Sequence, residues 1–309
     1  TKKKVGIKMN LEEEIICDFK VTEKRKRIWQ CQLEMVKLVN LICKENNLKC
    51  VAARGTLIGA IRHNGYIPWD DDIDLMMPRD DYEIFLKVAP SYLDNTKYFL
   101  QTNDTERMYY NGHAQIRNNE TTCLTKNMFN DLKLGKNCGI WIDIFPYDYV
   151  DGVKQTRKIK ILRSLSYSKA TKDYGRGIKG IVKKIIVLLL CPTKASCERK
   201  IKKIKQLAMS SRKKDFVGLI TFMPGYEKNV WKSEWFGETT MHKFEDIEIM
   251  IPVKYDEVLR QEYNDYMTIP TIKGENIHGE CYFDLNKSYK QYQNIDKKEF
   301  EKLFEQIDY

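Results

Sequence analysis

Residues 54–77, Arg-Gly-Thr-Leu-Ile-Gly-Ala-Ile-Arg-His-Asn-Gly-Tyr-Ile-Pro-Trp-Asp-Asp-Asp-Ile-Asp-Leu-Met-Met, gather more reactive side chains than any other stretch of the chain. Asp72 and Asp74 are two apart, and alternate residues of a strand share a face. The apolar Ile73, Leu75, Met76 and Met77 around them read as a buried strand over 72–77. Two carboxylates so placed repel unless a cation lies between them, and hard oxygen donors suit Mg2+ or Mn2+. An acidic run that caps a helix or lies on a solvated turn is the plainer reading of an isolated Asp-x-Asp. The Gly55-Thr56 turn upstream argues for chemistry instead, because such a turn offers backbone N–H groups and a hydroxyl to phosphate oxygens.

The run from Gly55 to His63, followed by Gly65-Tyr66-Ile67-Pro68-Trp69-Asp70-Asp71-Asp72-Ile73-Asp74, resembles the signature of the LicD family, which includes fukutin-like proteins and belongs to the nucleotidyltransferase-fold superfamily. Further matches are Met77-Pro78-Arg79-Asp80-Asp81-Tyr82, Trp141-Ile142-Asp143-Ile144-Phe145-Pro146-Tyr147-Asp148, and a tail of Tyr263, Asp265-Tyr266-Met267, Pro270 and His278. The resemblance spans about residues 30–290, with a weak middle. It implies an α/β (α+β) nucleotidyltransferase-like mixed sheet with flanking helices. The implied activity is metal-dependent transfer of phosphocholine from CDP-choline to a sugar hydroxyl of a bacterial cell-surface glycan, lipopolysaccharide or teichoic-acid precursor, with CMP released.

Under that resemblance Asp72 and Asp74 hold Mg2+ (or Mn2+), and Gly55 and Thr56 bind phosphate. Asp143 interrupts a hydrophobic strand, and a buried aspartate needs a cation or several hydrogen bonds. It reads as the third metal carboxylate of the superfamily's two-plus-one arrangement; a structural aspartate held by backbone N–H groups is the alternative. Arg62, His63 and Arg79 lie near the carboxylates in sequence and are candidate diphosphate contacts, although a solvated arginine or a structural histidine is equally simple. Trp69 is either core or, by cation–π contact, a seat for a quaternary ammonium. His278 contacts substrate or is structural. Where the family commonly has a lysine, this chain has Gln115, which leaves the contact from that strand open.

The elements that must position these groups follow from patterning. Ile28, Cys31, Met35, Val39, Ile42 and Cys43 recur at helical spacing over 23–46, predicting a core-packing helix ahead of a strand over 48–53. Residues 57–61 read as a short helix, Asn64-Gly65 as a tight turn and 80–88 as a helix. Strands are expected over 98–101, 113–117, 121–124, 139–145 and 247–251, with helices over 256–263 and 297–306.

With 309 residues and 42% hydrophobic content the chain can bury a sizeable core. Nine cysteines without a Cys-x-x-Cys pair suggest neither a disulfide framework nor a zinc ribbon and fit the reducing cytoplasm. Residues 1–20 carry no apolar run of signal-peptide length, so no secretory signal is expected. Three regions are expected: a catalytic core over 1–150, a basic helical insertion over 151–215, and a C-terminal part over 216–309 that completes the site. Of the net +10, residues 154–214 carry +18, from 20 Lys or Arg against Asp173 and Glu198, and the rest is −8.

Inside that basic segment, residues 181–190 are strongly apolar yet too short for a bilayer span, which needs about 20 residues. They fit either a lysine-flanked helix on an anionic membrane surface or a buried helix of a helical subdomain. No nucleic-acid recognition motif accompanies the charge, so nucleic acid is not expected as a partner. The expected partners are CDP-choline or a related CDP-alcohol and a lipid-linked glycan acceptor, with the protein peripheral on the inner face of the cell membrane. Rival readings are another CDP-activated alcohol such as glycerol or ribitol, a catalytically silent membrane or glycan-binding module, and an NTP-using nucleotidyltransferase acting on RNA.

Overall fold

The computed structural model describes residues 9–223, 229–271 and 281–306. A hairpin of β1 (Glu14–Ile16) and β2 (Phe19–Val21) leads into the long helix α1 (Glu23–Glu45). Thr22 caps α1 by accepting the Arg25 N–H at 3.2 Å, Glu23 places an acid in the first turn, where the helix dipole favours it, and the helix stops at Asn46. The expected apolar stripe of Ile28, Met35, Val39 and Ile42 is buried.

Next come β3 (Val51–Ala52), α2 (Arg54–His63), β4 (Asp74–Pro78) and α3 (Arg79–Val88). Two expectations shift here. Gly55-Thr56 is no turn but the start of α2; the reversal is made one residue earlier, where Arg54 takes φ +51°, so strand passes to helix in a single step. β4 begins at Asp74, so Asp72 lies in the loop before it rather than on the strand. The Asn-Gly reversal does appear, with Asn64 in the left-handed region closing α2.

The chain continues through β5 (Tyr98–Gln101), β6 (Ala114–Asn118), β7 (Thr122–Thr125), α4 (Phe129–Lys133) and the nine-residue β8 (Trp141–Tyr149). Three helices follow, α5 (Val153–Thr171), α6 (Gly177–Leu190) and α7 (Lys194–Met209), then β9 (Phe216–Gly218), β10 (Val230–Lys232), the hairpin β11 (Thr239–Phe244) and β12 (Ile247–Pro252), α8 (Tyr255–Tyr263), β13 (Cys281–Asp284) and α9 (Lys297–Lys302).

A mixed seven-stranded sheet runs β10-β9-β8-β4-β3, with β6 joined to β8 and β5 to β6. β8 is its axis. Along its first half it lies between β4, parallel, and β6, antiparallel; at Asp148 and Tyr149 β9 joins it instead. α1, α2 and α3 pack on this sheet around one large core that includes Leu33, Met35, Ile42, Leu57, Met76, Met77 and Phe85. This is the mixed α/β architecture expected from the sequence.

α5 and α7 dock through a separate small cluster, with Ile159, Ile204 and Ala208 against Val150, Ile220 and Val230. α6 differs from both. Only Gly180 and Val187 of its 14 residues are buried, while Ile178, Ile181 and Leu189 are 81%, 62% and 74% exposed. The sequence allowed a buried α6 in a helical subdomain; its apolar side chains instead face outward.

Candidate active site

The parallel pairing of β4 with β8 sets Asp74 opposite Asp143, and the loop before β4 brings in Asp72. One carboxylate oxygen from each of the three lies within 4.8 Å of those of the other two. Several buried contacts fix this arrangement. The Asp74 N–H donates to Thr56 Oγ1 at 2.8 Å, tying β4 to the start of α2. Gly55 lets the acidic loop approach, since a Cβ there would meet Asp70 Oδ2 at 2.7 Å.

α1 then holds the loop by its backbone. Arg25 Nη1 and Trp29 Nε1 donate to the Asp70 carbonyl at 3.0 and 2.9 Å, and Gln32 Nε2 donates to the Asp71 carbonyl at 2.7 Å. Tyr66 stacks on Trp29 and donates to Gln32 Oε1, which fixes the amide. The helix expected to fill the core therefore also aims the carboxylates. A buried carbonyl left without such a donor costs about 1–3 kcal/mol, so each of these contacts strongly constrains the loop.

Asp143 is held by side chains rather than by the backbone donors of the alternative reading. Oδ1 accepts from His113 Nε2 at 2.8 Å and from Gln115 Nε2 at 2.7 Å, and Oδ2 accepts from Trp141 Nε1 at 2.9 Å. Gln115 in turn accepts from Arg117 Nη2 at 2.7 Å, so the contact that this strand makes is an amide to Asp143. Burial opposes charge on Asp143, but His113 and the other donors outweigh it and hold its pKa below the usual carboxylate value. Asp74 goes the other way. Burial raises its pKa well above the ordinary 3.8, Asp72 and Asp143 raise it further, and Arg54, with Nε 3.5 Å from Oδ2, opposes them only in part.

Three crowded carboxylates in a buried setting form an all-oxygen donor set, and a hard divalent cation relieves their repulsion. The residues fit Mg2+ or Mn2+. The His113, Gln115 and Trp141 contacts fix the orientation of the Asp143 carboxylate, as the outer hydrogen bonds around metal-binding carboxylates do.

The tail motif packs beside α2. Arg54 lies near Tyr263 and the half-buried Glu262, whose pKa burial pushes up to about 7 against the pull of Arg54 and Tyr263. Arg62 spends its guanidinium on the Tyr266 carbonyl at 2.6 Å and on His63 Nε2 at 2.9 Å. Burial, helped by the Arg62 charge, lowers the His63 pKa to about 4, so this ring is a neutral acceptor. Trp69 is 4% exposed, with Phe19 and His63 at its edges and Arg62 over its ring at 5.9 Å. The cation it meets is Arg62, and its burial leaves no open aromatic face for a quaternary ammonium. Arg79 is likewise engaged away from the carboxylates: Nε and Nη2 make a two-pronged pair with Asp148 at 2.7 and 2.9 Å, and Nη1 reaches Glu83. His278 lies outside the described residues.

His113, Arg25, Trp29 and Gln32 were not singled out from the sequence. A polar residue every three or four positions on an otherwise apolar helix face was the available signal for the last three. His113 had no local signal beyond opening a predicted strand.

Residues 47–168 match the family described as LicD/FKTN/FKRP, nucleotidyltransferase domain. The lipopolysaccharide cholinephosphotransferase LicD of Haemophilus influenzae is 30% identical over 258 residues, covering 80% of this chain and 92% of that protein. Uncharacterised proteins of Rickettsia typhi and Rickettsia prowazekii are 36% and 34% identical over 59 residues, covering 19% of this chain and 19% and 22% of theirs. A match over nearly the whole of one relative, on a chain whose fold sets the motif aspartates side by side, leads to one conclusion: this chain belongs to the LicD family.

Proposed function

We propose that this protein transfers phosphocholine from CDP-choline to a sugar hydroxyl of a lipopolysaccharide or related bacterial cell-surface glycan precursor, teichoic-acid precursors included, releasing CMP. The observation that carries the reading is the convergence of Asp72, Asp74 and Asp143 in a chain related to a lipopolysaccharide cholinephosphotransferase. These three residues would hold Mg2+ or Mn2+, which when bound supplies the counter-charge for a diphosphate under attack.

The remaining steps belong to the chain's own residues. The start of α2, with the Gly55 and Thr56 N–H groups, faces the donor's phosphates, as helix N-termini do. Arg54, beside Asp74, adds positive charge on the same side. Asp143 orients the acceptor hydroxyl and takes its proton, and His113 and Gln115 keep that carboxylate from turning. The hydroxyl oxygen forms a bond to the phosphorus that bears choline. The bond from that phosphorus to the bridging oxygen breaks, and its electron pair leaves with CMP. The lipid-linked acceptor would place the protein peripherally at the inner face of the membrane. None of the described helices is long and apolar enough to cross one.

Because Trp69 is buried against Arg62, selection of the alcohol rests on other groups, and CDP-glycerol and CDP-ribitol remain the donors to test against CDP-choline. Purified protein with a membrane-derived glycan acceptor is given each CDP-alcohol and CTP in turn, and CMP or diphosphate release is followed with and without chelator. Chelator-sensitive CMP release from CDP-choline is expected. Release from another CDP-alcohol alone would replace the substrate, diphosphate release from CTP would point to nucleotidyl transfer, and no turnover with any donor would favour a silent binding module.

A further inference from the structure

We infer that α6 is a docking element that lies in the plane of an anionic lipid surface, with its apolar side facing away from the protein and into the bilayer interface. The inference deepens the peripheral-membrane part of the reading above and rests on it only for its purpose.

At about 100° per residue, Ile178, Ile181, Val182, Ile185, Ile186 and Leu189 of α6 fall on one arc of about 140°. All six are exposed. Gly180 and Val187, the two buried residues, lie on the opposite side, where α6 meets Leu165, Cys191 and Cys197. Gly180 permits that contact by allowing the helix against the backbone of Tyr174 and Gly175. Lys179, Lys183 and Lys184 fall between the two sides, along the margins of the outer arc. A helix of a soluble protein turns its apolar stripe inward; here the stripe is turned outward and edged with lysines. That is the arrangement of an interfacial helix, whose apolar face enters the acyl boundary while the flanking lysines reach phosphate headgroups.

Two observations select lipid as the occupant. A 14-residue helix spans about 21 Å, short of the roughly 30 Å of a hydrocarbon core, so α6 can lie in an interface but not cross it. The segment 154–214 holds 20 basic residues against two acids, so the field around α6 attracts an anionic surface. A second copy of this chain would bring the flanking lysines of both helices to a shared seam, where like charges repel.

The test is co-sedimentation of the full chain with vesicles of phosphatidylcholine alone, or of phosphatidylcholine with phosphatidylglycerol, at low and high salt. Wild type is expected to bind the anionic vesicles at least about tenfold more tightly than the neutral ones, with the difference narrowing as salt screens it. Ile185→Glu with Leu189→Glu should remove binding to both. Lys179→Glu with Lys184→Glu should weaken binding to anionic vesicles by about tenfold or more and leave neutral vesicles almost unaffected. All four positions are surface positions, and CMP release with a water-soluble acceptor is expected to stay at the wild-type rate, which also shows that the variants fold.

Wild type that sediments with neither vesicle would overturn the inference, as would Ile185→Glu with Leu189→Glu binding like wild type. So would a dimer seen by sedimentation velocity that the same double variant dissolves, because the covering surface would then be a second copy. Loss of CMP release in wild type would sink the transferase reading while leaving vesicle binding to stand or fall separately.

Discussion

At the start of the parallel pair formed by β4 and β8, Asp74 and Asp143 stand side by side with Asp72 next to them; near its end, five residues further along β8, Asp148 is gripped by Arg79. Both ends bury carboxylates, and at both Asp74 and Asp148 burial raises the pKa. The difference lies in what opposes burial. Asp148 has the Arg79 guanidinium in two-pronged contact. At Asp74 two further carboxylates add to burial, and Arg54 stands off at 3.5 Å. A buried acid matched by an arginine is complete within the protein. Asp74, crowded by two carboxylates and met by Arg54 only at 3.5 Å, is suited to a further positive charge from outside.

Neutralising one residue at each end should separate the two ends. Asp74→Asn should reduce CMP release by on the order of a thousandfold or more, about 4 kcal/mol of transition-state stabilisation. The metal-free melting temperature should hold or rise, because one of three repelling charges has gone. If activity and stability instead fell together, the two ends would be alike and both structural.

Arg79→Met should do the opposite. It strands Asp148 in the interior and should cost about 3–5 kcal/mol in urea unfolding, with CMP release per folded molecule close to wild type. A large loss of turnover in protein that remains folded would return Arg79 to the donor site.

The smallest effect expected is in the pH dependence of stability. Asp74 has its folded pKa above 3.8, so above that pH the folded state binds more protons than the unfolded chain, and metal-free stability should decline as pH rises through the raised value. Asp143, with a depressed pKa, has the opposite sign and acts below 3.8, where its contribution is lost as pH falls. Saturating Mg2+ should remove the Asp74 decline, and its binding should tighten with pH and release protons. Melting curves with and without Mg2+ across the acid-to-neutral range check this; a metal-free curve that rises steadily to neutrality would contradict the crowding at Asp74.

Which parts of the site were readable from sequence follows the same contrast. Asp72, Asp74 and Asp143 stood out because acids in apolar strands are costly and local patterning exposes them. The partners that decide what an acid or a cation does are distant in the chain: Asp148 lies 69 residues beyond Arg79, and Tyr266 lies 204 beyond Arg62. From sequence, Arg79 and Arg62 are either diphosphate contacts or solvated arginines and Trp69 is either core or a choline seat; the structural partners of the two arginines lie too far along the chain for proximity to reveal. The strands and helices that the patterning predicts lie within a few residues of those observed because period and turn chemistry are local, whereas the β1–β2 hairpin, α4, α5, α7, β9–β11 and β13 are not individually predicted by it. The exception, α2 beginning at Arg54, depends on a left-handed residue at a position where only the fold requires one.

Asp72, Asp74 and Asp143 fall within residues 47–168, the stretch that matches the family, whereas Arg25, Trp29 and Gln32, which hold the loop's carbonyls, lie ahead of it. A fragment cut at the boundaries of the signature would thus keep all three aspartates and lose the part that aims them. The smallest unit that keeps the aspartates aimed is longer than its most recognisable stretch, and it includes α1.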